Sequence, residues 1–206
     1  MKHMEIECKW DANTPHAFAL AKKTIANLCG PITPKTVHIK DVYLDDDKQS
    51  LAKQLIALRV RNCDGKFEVT FKTRTQIKNG KAVRREETLS LPNIKNFSHA
   101  LHALAQKKTW KQIKTTGLIA QFLITNKRTI YLFTYKKSTL EMALDKVTIH
   151  VAGRRVQMQE IELELKHGSA KALDKFAQHF CAQTGLARAT FSKVKTAEML
   201  RKLWKK

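Results

Sequence analysis

Polar and apolar residues alternate at the start of the chain. Glu5, Glu7 and Lys9 are each separated by a single apolar residue. Successive side chains of a β-strand point to opposite faces, so the two carboxylates and the ammonium share one face of a predicted strand. Two glutamates at this spacing repel each other unless positive charge lies between them, and hard divalent cations bind carboxylate oxygens. The pattern fits a metal-binding strand face, and a solvated strand face is the alternative.

The same alternation returns in four further segments. Near the C-terminal end, residues 159–165 place Glu160, Glu162 and Glu164 on one face. Three basic segments lie between the two acidic ones. The first places Arg59 and Arg61 on one face, and the second places Glu68, Thr70, Lys72 and Arg74 together. The third places Arg84, Glu86 and Thr88 together. If the sheet curls with these faces inward, its interior holds acids beside bases. Such an interior suits a metal ion and a polyanion.

Turn and capping residues divide the remaining chain into strands and helices. Asp64-Gly65 predicts a hairpin and Asn79-Gly80 a second turn. Further strands are predicted at 37–45, 55–62, 67–75, 82–91, 118–125, 129–136, 140–150 and 156–166. Helices are predicted from a cap at Asn13 or Thr14 to Cys29, and at 50–53, 97–107, 169–183 and 197–203. We expect an α+β fold, a closed antiparallel eight-stranded β-barrel with flanking helices, whose interior admits one small ligand.

Composition predicts one compact domain over residues 1–206, because a chain of this length buries roughly 70% of its unfolded surface. The formal net charge is +21. A field of this sign attracts anions, which fits a phosphate chain inside the barrel, a nucleic acid on the basic surface, or both. The basic stretches 106–111 and 201–206 are expected on the outer surface.

The four cysteines are dispersed and show no C-x-x-C spacing. They are expected to be core or surface thiols rather than metal ligands. The sequence has no apolar run of signal-peptide or membrane-spanning length. These features predict a cytoplasmic protein that is a monomer or homodimer and has no membrane partner.

The ordered motifs resemble those of CYTH domains, the triphosphate tunnel metalloenzymes, over nearly the whole chain. The resemblance begins with Glu5-x-Glu7-x-Lys9. It continues through Tyr43-Leu44-Asp45, Ala57-Leu58-Arg59-Val60-Arg61, Thr70-Phe71-Lys72, Arg84-x-Glu86, Arg128, Glu141-Met142-Ala143-Leu144-Asp145, Glu160-x-Glu162-x-Glu164 and Ser192-Lys193. Among the subgroups, the chain is most similar to the bacterial inorganic triphosphatases.

The resemblance implies metal-dependent hydrolysis of a triphosphate, with inorganic triphosphate the expected substrate and two Mg²⁺ or Mn²⁺ ions the expected cofactors. The implied metal ligands are Glu5, Glu7, Asp145, Glu160, Glu162 and Glu164. The implied substrate-binding residues are Lys9, Arg59, Arg61, Lys72, Arg84, Arg128 and Lys193. The residues expected to take part in catalysis are Glu5, Glu7, Lys9 and Lys72.

Other functions remain open at this point. The same fold could serve an adenylate cyclase, or a thiamine-triphosphate or nucleoside-triphosphate hydrolase. A non-catalytic protein that binds polyphosphate or RNA is a further alternative, although six carboxylates facing the ligand would not help a pure anion binder. The charged faces could also form a structural ion-pair network, Asp145 could be a turn residue, and Glu86 could orient Arg84 or a lysine.

Overall fold

The computed structural model describes residues 2–73, 76–78, 81–105 and 117–204, with the backbone alone at 2, 3, 76–78, 81, 82, 84, 85 and 105. Within this part, the strands are β1 (Lys2–Asp11), β2 (Lys35–Asp45), β3 (Ala57–Cys63), β4 (Lys66–Lys72), β5 (Gln76–Lys78), β6 (Lys81–Leu91), β7 (Ile119–Tyr135), β8 (Ser138–Val151) and β9 (Arg154–His167). The helices are α1 (Ala17–Cys29), α2 (Ser50–Lys53), α3 (Phe97–Ala105), α4 (Ala170–Thr184) and α5 (Lys193–Trp204).

All strands belong to one antiparallel sheet in the order β1-β9-β8-β7-β2-β3-β4-β6-β5, and β6 also pairs with β1. β1 joins the two ends of the curled sheet with a stagger. Its residues 2–7 pair with β6, and its residues 7–11 pair with β9. The predicted α+β fold of eight antiparallel strands with flanking helices is confirmed, and β5 is a short addition beside β6.

Helices cover the outer face of the sheet in two places. α1 and α4 pack on β1, β8 and β9, where Trp10 is fully buried and its ring centroid lies 4.6 Å from that of Phe180. α3 packs on β3 and β4, where the ring of Phe97 meets Phe67 edge-on at 5.3 Å. Burial of these apolar side chains, at roughly 25 cal/mol per Å², stabilises the helices on the outer face and leaves the charged face on the inside of the curled sheet.

α5 packs against the concave face at one end of the sheet. Ala197 of α5 is fully buried in an apolar cluster with inward-facing residues of β2, β7 and β8. In this cluster, the rings of Tyr43 and Phe122 stack with their centroids 4.8 Å apart. Because α5 fills this end, its first residue, Lys193, is held beside the charged part of the concave face.

Several element boundaries differ from the sequence predictions. The two strands predicted at 118–125 and 129–136 are one strand, β7, because β2 and β8 pair with it continuously through Asn126. α1 begins at Ala17 rather than after a cap at Asn13 or Thr14. The side chain of Asn13 is bound elsewhere, since its Oδ1 accepts the backbone N–H of Gln159 at 2.6 Å.

The C-terminal helix also departs from its prediction. α5 begins four residues early, because the Ser192 hydroxyl accepts the Lys195 backbone N–H at 3.2 Å and caps the helix there. Arg201, expected on the outer surface, is buried and donates to Gln121 Oε1 at 2.6 Å. Residues 106–111, Lys205 and Lys206 lie outside the described residues. Across the described chain, every helix is too short or too polar to span a lipid bilayer.

Candidate active site

The concave face of the sheet encloses a cavity of about 760 Å³. It is lined by charged side chains of both signs from most of the strands and from the start of α5. The acidic residues of the described lining are Glu5, Glu7, Asp41, Glu68, Glu86, Glu141, Glu162 and Glu164, and the basic ones are Lys9, Lys35, Arg59, Arg61, Lys72, Arg128, Lys166 and Lys193. The face that strand alternation assigned to Glu5, Glu7 and Lys9 is therefore the interior face, as predicted.

Lys9 lies among carboxylates contributed by β1 and β9. Its Nζ is 3.1 Å from Glu7 Oε2 and 3.5 Å from Glu160 Oε1, and it also donates to Glu162. The antiparallel register brings these groups together, since Lys9 pairs directly with Glu162. The ammonium therefore neutralises the repulsion between glutamates on neighbouring strands.

Asp145 anchors two cations beside this group. Its carboxylate accepts two parallel hydrogen bonds from Arg128, with Nε to Oδ1 at 2.8 Å and a terminal nitrogen to Oδ2 at 2.6 Å. Lys193 Nζ donates to Asp145 Oδ2 at 2.6 Å and to Glu162 Oε1 at 2.7 Å. Asp145 has no exposed surface, and burial alone would raise its pKa. Lys193 and Arg128 outweigh burial and lower that pKa.

Glu160 and Glu162 lie two residues apart on β9, and their pKa values are shifted in opposite directions. Burial would raise the pKa of Glu162, but Lys193, Lys9 and Arg128 lower it well below its usual range. The pKa of Glu160 is raised, because burial and the Glu162 carboxylate outweigh the two lysines. Neither Glu160 oxygen accepts a hydrogen bond from the described residues. Glu162 is therefore the ionised centre of this group, and Glu160 lies behind it.

A second charged group is formed by β2 and β3. Asp41 accepts two hydrogen bonds from Arg61, with Nε to Oδ1 at 2.7 Å and a terminal nitrogen to Oδ2 at 2.8 Å. Arg59 approaches Asp41 Oδ2 at 3.5 Å and Glu86 Oε1 at 3.6 Å. Burial would raise the pKa of Asp41, but Arg59 and Arg61 lower it from 3.8 to about 2. Asp41 is therefore a fixed anion that orients both guanidinium groups.

Lys72 connects this second group to β1. Its Nζ lies 2.6 Å from Glu86 Oε2 and 3.6 Å from Glu5 Oε2. Glu86 therefore contacts a lysine, one of the two roles considered for it. Arg84 is directly opposite Glu5 in the β1–β6 pairing, and its side chain lies outside the described residues.

Most of the sequence-predicted residues meet in this cavity, but at different depths. Asp145 and Glu160 lie behind the lining rather than in it, since both are almost fully buried against Lys193. Glu164 lines the cavity and accepts a hydrogen bond from Lys166 at 3.1 Å. Its pKa is raised, mainly by burial.

Sequence reasoning missed Asp41 as a site residue. Its signal is a single carboxylate that interrupts an otherwise apolar strand face formed by Val37, Ile39 and Tyr43. A buried ionised side chain is costly unless it is paired. An acidic residue at an apolar position of the alternation therefore indicates a cationic partner, which here is Arg61.

The donor set is compatible with a divalent cation. Glu5, Glu7, Glu162 and Glu164 line one cavity and offer carboxylate oxygens, the ligands that Mg²⁺ and Mn²⁺ prefer. In the described part of the chain, no three His, Cys, Asp or Glu side chains converge as a ready ligand group. Ammonium groups such as that of Lys9 lie between the carboxylates instead. A cation would therefore compete with lysine for the same oxygens.

Comparison with known proteins places these features in a family context. The model of the CYTH domain matches residues 3–197 of this chain. An inorganic triphosphatase of Haemophilus influenzae is 29% identical over 182 residues, which make up 88% of this chain and 49% of that protein. The chain thus spans about half the length of the curated relative that it matches.

Solved structures share the fold. A Hippeastrum protein described as an adenylyl cyclase with a dominant triphosphatase activity superposes with a TM-score of 0.67 at 19% identity, covering 96% of each chain. A Bacillus halodurans protein described as an adenylate cyclase gives 0.66 at 20% identity, covering 95% of this chain and 97% of that one. The Mimivirus capping-enzyme triphosphatase gives 0.52 at 15% identity, covering 87% and 88%. At these identities the likeness concerns the fold alone.

Proposed function

Because the chain belongs to the CYTH domain family, we propose that it hydrolyses a triphosphate within the cavity, with a divalent cation as cofactor and inorganic triphosphate as preferred substrate. One observation carries the proposal. Carboxylates of β1 and β9 and cationic groups of β3, β4, β7 and α5 line the same enclosed space. Cleavage of a phosphoanhydride depends on charge neutralisation and positioning rather than on a covalent nucleophile, and this lining provides charges of both signs.

The cationic side chains are the proposed triphosphate ligands. Arg61 and Arg128 are each held by a buried aspartate through two hydrogen bonds, which fixes the plane of each guanidinium group. A guanidinium has five N–H donors, so both arginines keep donors for phosphate oxygens. Lys9 contacts Glu7 and Lys72 approaches Glu5, and both lysines are proposed to neutralise charge on the reacting phosphate. The remaining proposed ligands are Arg59, Arg84 and Lys193.

The carboxylates are the proposed metal ligands. We assign Glu5, Glu7, Glu162 and Glu164 to Mg²⁺ or Mn²⁺ directly. Asp145 and Glu160, included in the sequence-based ligand set, lie behind these residues, and we propose that they mainly hold Arg128 and Lys193. When bound, a divalent cation supplies charge neutralisation and a water molecule of lowered pKa. Lys9 and Lys193 then exchange carboxylate oxygens for phosphate oxygens. The number of ions stays a prediction, as do a cytoplasmic location and a monomeric or homodimeric state.

A substrate panel tests the proposal. Phosphate release is measured with inorganic triphosphate, ATP and thiamine triphosphate, each with Mg²⁺, with Mn²⁺ and with excess chelator. We expect the fastest release from inorganic triphosphate and none in chelator. Formation of cyclic AMP from ATP would assign the cyclase reaction instead. Binding of triphosphate without turnover under every metal condition would contradict hydrolysis.

A further inference from the structure

A basic surface lies on the outer face of the sheet, on the opposite side of the strands from the cavity. It occupies β2, β7 and β8 between the areas that α3 and the α1–α4 pair cover. Its exposed residues are His38, Lys40, Lys127 and Lys146, with Thr125 and Thr148 between them. We call these six residues the outer basic surface. They line an open concavity of about 510 Å³.

The strand register places two lysines opposite each other on this surface, with a histidine beside them. Lys127 of β7 pairs directly with Lys146 of β8 on one side and with His38 of β2 on the other. Like charges at directly opposed positions destabilise a sheet. Among the described residues that line the concavity, Asp64 is the sole acid, and its carboxylate accepts the backbone N–H of His38. An anion lying across Lys127 and Lys146 would relieve the repulsion.

The charge balance of the cavity indicates that the excess positive charge of the chain lies outside the described cavity lining. The described lining holds eight acidic and eight basic side chains, so it contributes no net charge. The formal charge of +21 is therefore carried by the rest of the chain. This excess is larger than the described cavity lining contains, and it would attract a larger anion to the exterior.

We propose that the outer basic surface binds the phosphate backbone of RNA without regard to base sequence. Lysine, threonine and asparagine are typical contacts to backbone phosphates, and Asn62 lies beside Lys40 in the β2–β3 pairing. Lys40 is held with its Nζ 5.4 Å from the centre of the Phe97 ring. No tryptophan, tyrosine or phenylalanine of the described residues lines the concavity, so contacts to phosphates rather than stacking of bases would carry the binding.

The same composition argues against other partners. Protein interfaces are enriched in aromatic residues and depleted of lysine, and membrane-binding surfaces bury large apolar side chains. In the described lining, Ile39 is the one large aliphatic residue, and it belongs to the interior face of β2. The proposal is independent of triphosphate hydrolysis, because the cavity and the outer basic surface lie on opposite faces of the sheet.

A pair of charge-matched triple variants tests the proposal. The first combines Lys40→Gln, Lys127→Gln and Lys146→Gln. The control combines Lys22→Gln, Lys23→Gln and Lys171→Gln, which remove the same charge from exposed positions on α1 and α4. Fluorescence anisotropy of a labelled single-stranded RNA is read across a salt series, with unfolding temperature and phosphate release from triphosphate measured in parallel.

We expect the sheet variant to bind RNA at least about tenfold more weakly, and its salt slope to fall by about 2, because each lost phosphate contact on a single strand lowers the slope by about 0.7. The control should bind nearly as wild type, and both variants should keep their unfolding temperature and hydrolysis. Wild-type affinity in the sheet variant, or equal losses in both variants, would overturn the proposal. So would binding of inorganic polyphosphate or phosphatidylserine vesicles by the wild type without binding of RNA.

Discussion

Both carboxylate oxygens of Asp41 accept hydrogen bonds from the Arg61 guanidinium across the β2–β3 pairing, at 2.7 Å and 2.8 Å. Asp41 is shielded from water, since it is 5% exposed, whereas Arg61 is partly exposed to the cavity. Charge-assisted, two-point contacts of this kind fix the guanidinium in both position and plane. Asp41 therefore fixes the position of an arginine that we propose as a triphosphate ligand.

The Asp41 contact predicts a defined pH dependence of stability. Its folded-state pKa, about 2, is below its ordinary value of 3.8. The ionised form therefore adds stability above that ordinary value, and this stability is lost as the pH falls towards 2. A shift of this size corresponds to about 2 kcal/mol. Denaturant unfolding of wild type and Asp41→Asn should show a stability gap at pH 7 that closes towards pH 2. Parallel stability curves would contradict the prediction.

Arg61 is predicted to bind triphosphate. Removing a hydrogen bond to a charged group costs about 1.5–3 kcal/mol, so Arg61→Ala should weaken binding about tenfold or more. Calorimetric titration with triphosphate and Ca²⁺, used to support binding with little turnover, measures this effect. The double variant Asp41→Asn with Arg61→Ala is the control, because Arg61→Ala alone leaves the buried Asp41 carboxylate with the more distant Arg59 as its remaining arginine partner. Full affinity in the double variant would place Arg61 outside the binding site. The same titration applies to Arg59→Ala.

Glu7 is predicted to be essential for turnover. Glu7→Gln keeps the size of the side chain and removes the charge that a divalent cation needs. We expect phosphate release to be lost, with the unfolding temperature little changed. Glu198→Gln, on α5 away from the cavity lining, is the matched control and should retain activity. Undiminished hydrolysis by Glu7→Gln would remove this carboxylate from the mechanism.

Gly168 is predicted to tolerate no side chain. Its φ is +104°, and a Cβ there would lie 2.9 Å from the Ser138 Cα and 2.5 Å from the Ser138 Oγ. Overpacking and left-handed backbone strain together predict that Gly168→Ala lowers the free energy of unfolding by about 3 kcal/mol. Gly153→Ala is the control: its φ is +73° and no atom lies within 4 Å, so it should lose about 1 kcal/mol. If urea unfolding gave the same loss of unfolding free energy for both variants, backbone strain alone would act at Gly168.

Strand alternation predicted much of the fold and of the site. Glu7 and Glu162 face the interior because a period of two leaves no other position for them once the apolar face is buried. Capping was harder to predict, because it depends on partners distant in sequence. Asn13 is an acceptable cap by type, but it binds the backbone of Gln159, and α1 begins later.

Depth within the cavity could not be predicted from one strand at a time. Asp145 and Glu162 share a polar, inward face, but only the assembled sheet and α5 show that Asp145 lies beneath Arg128 and Lys193. Asp41 differs, because its position on an otherwise apolar strand face already indicates a cationic partner but does not identify it. Its importance follows from the register of β2 against β3, which brings it directly opposite Arg61.

Acidic and basic side chains are equal in number in the described lining of the cavity, and this balance bears on what can enter it. The described lining is electrically neutral, so an anion that entered alone would leave uncompensated negative charge in a confined space, at a cost of several kcal/mol per ion. A triphosphate accompanied by divalent cations brings little net charge. Under the proposed function, electroneutral entry would therefore favour the metal complex of triphosphate over the bare anion.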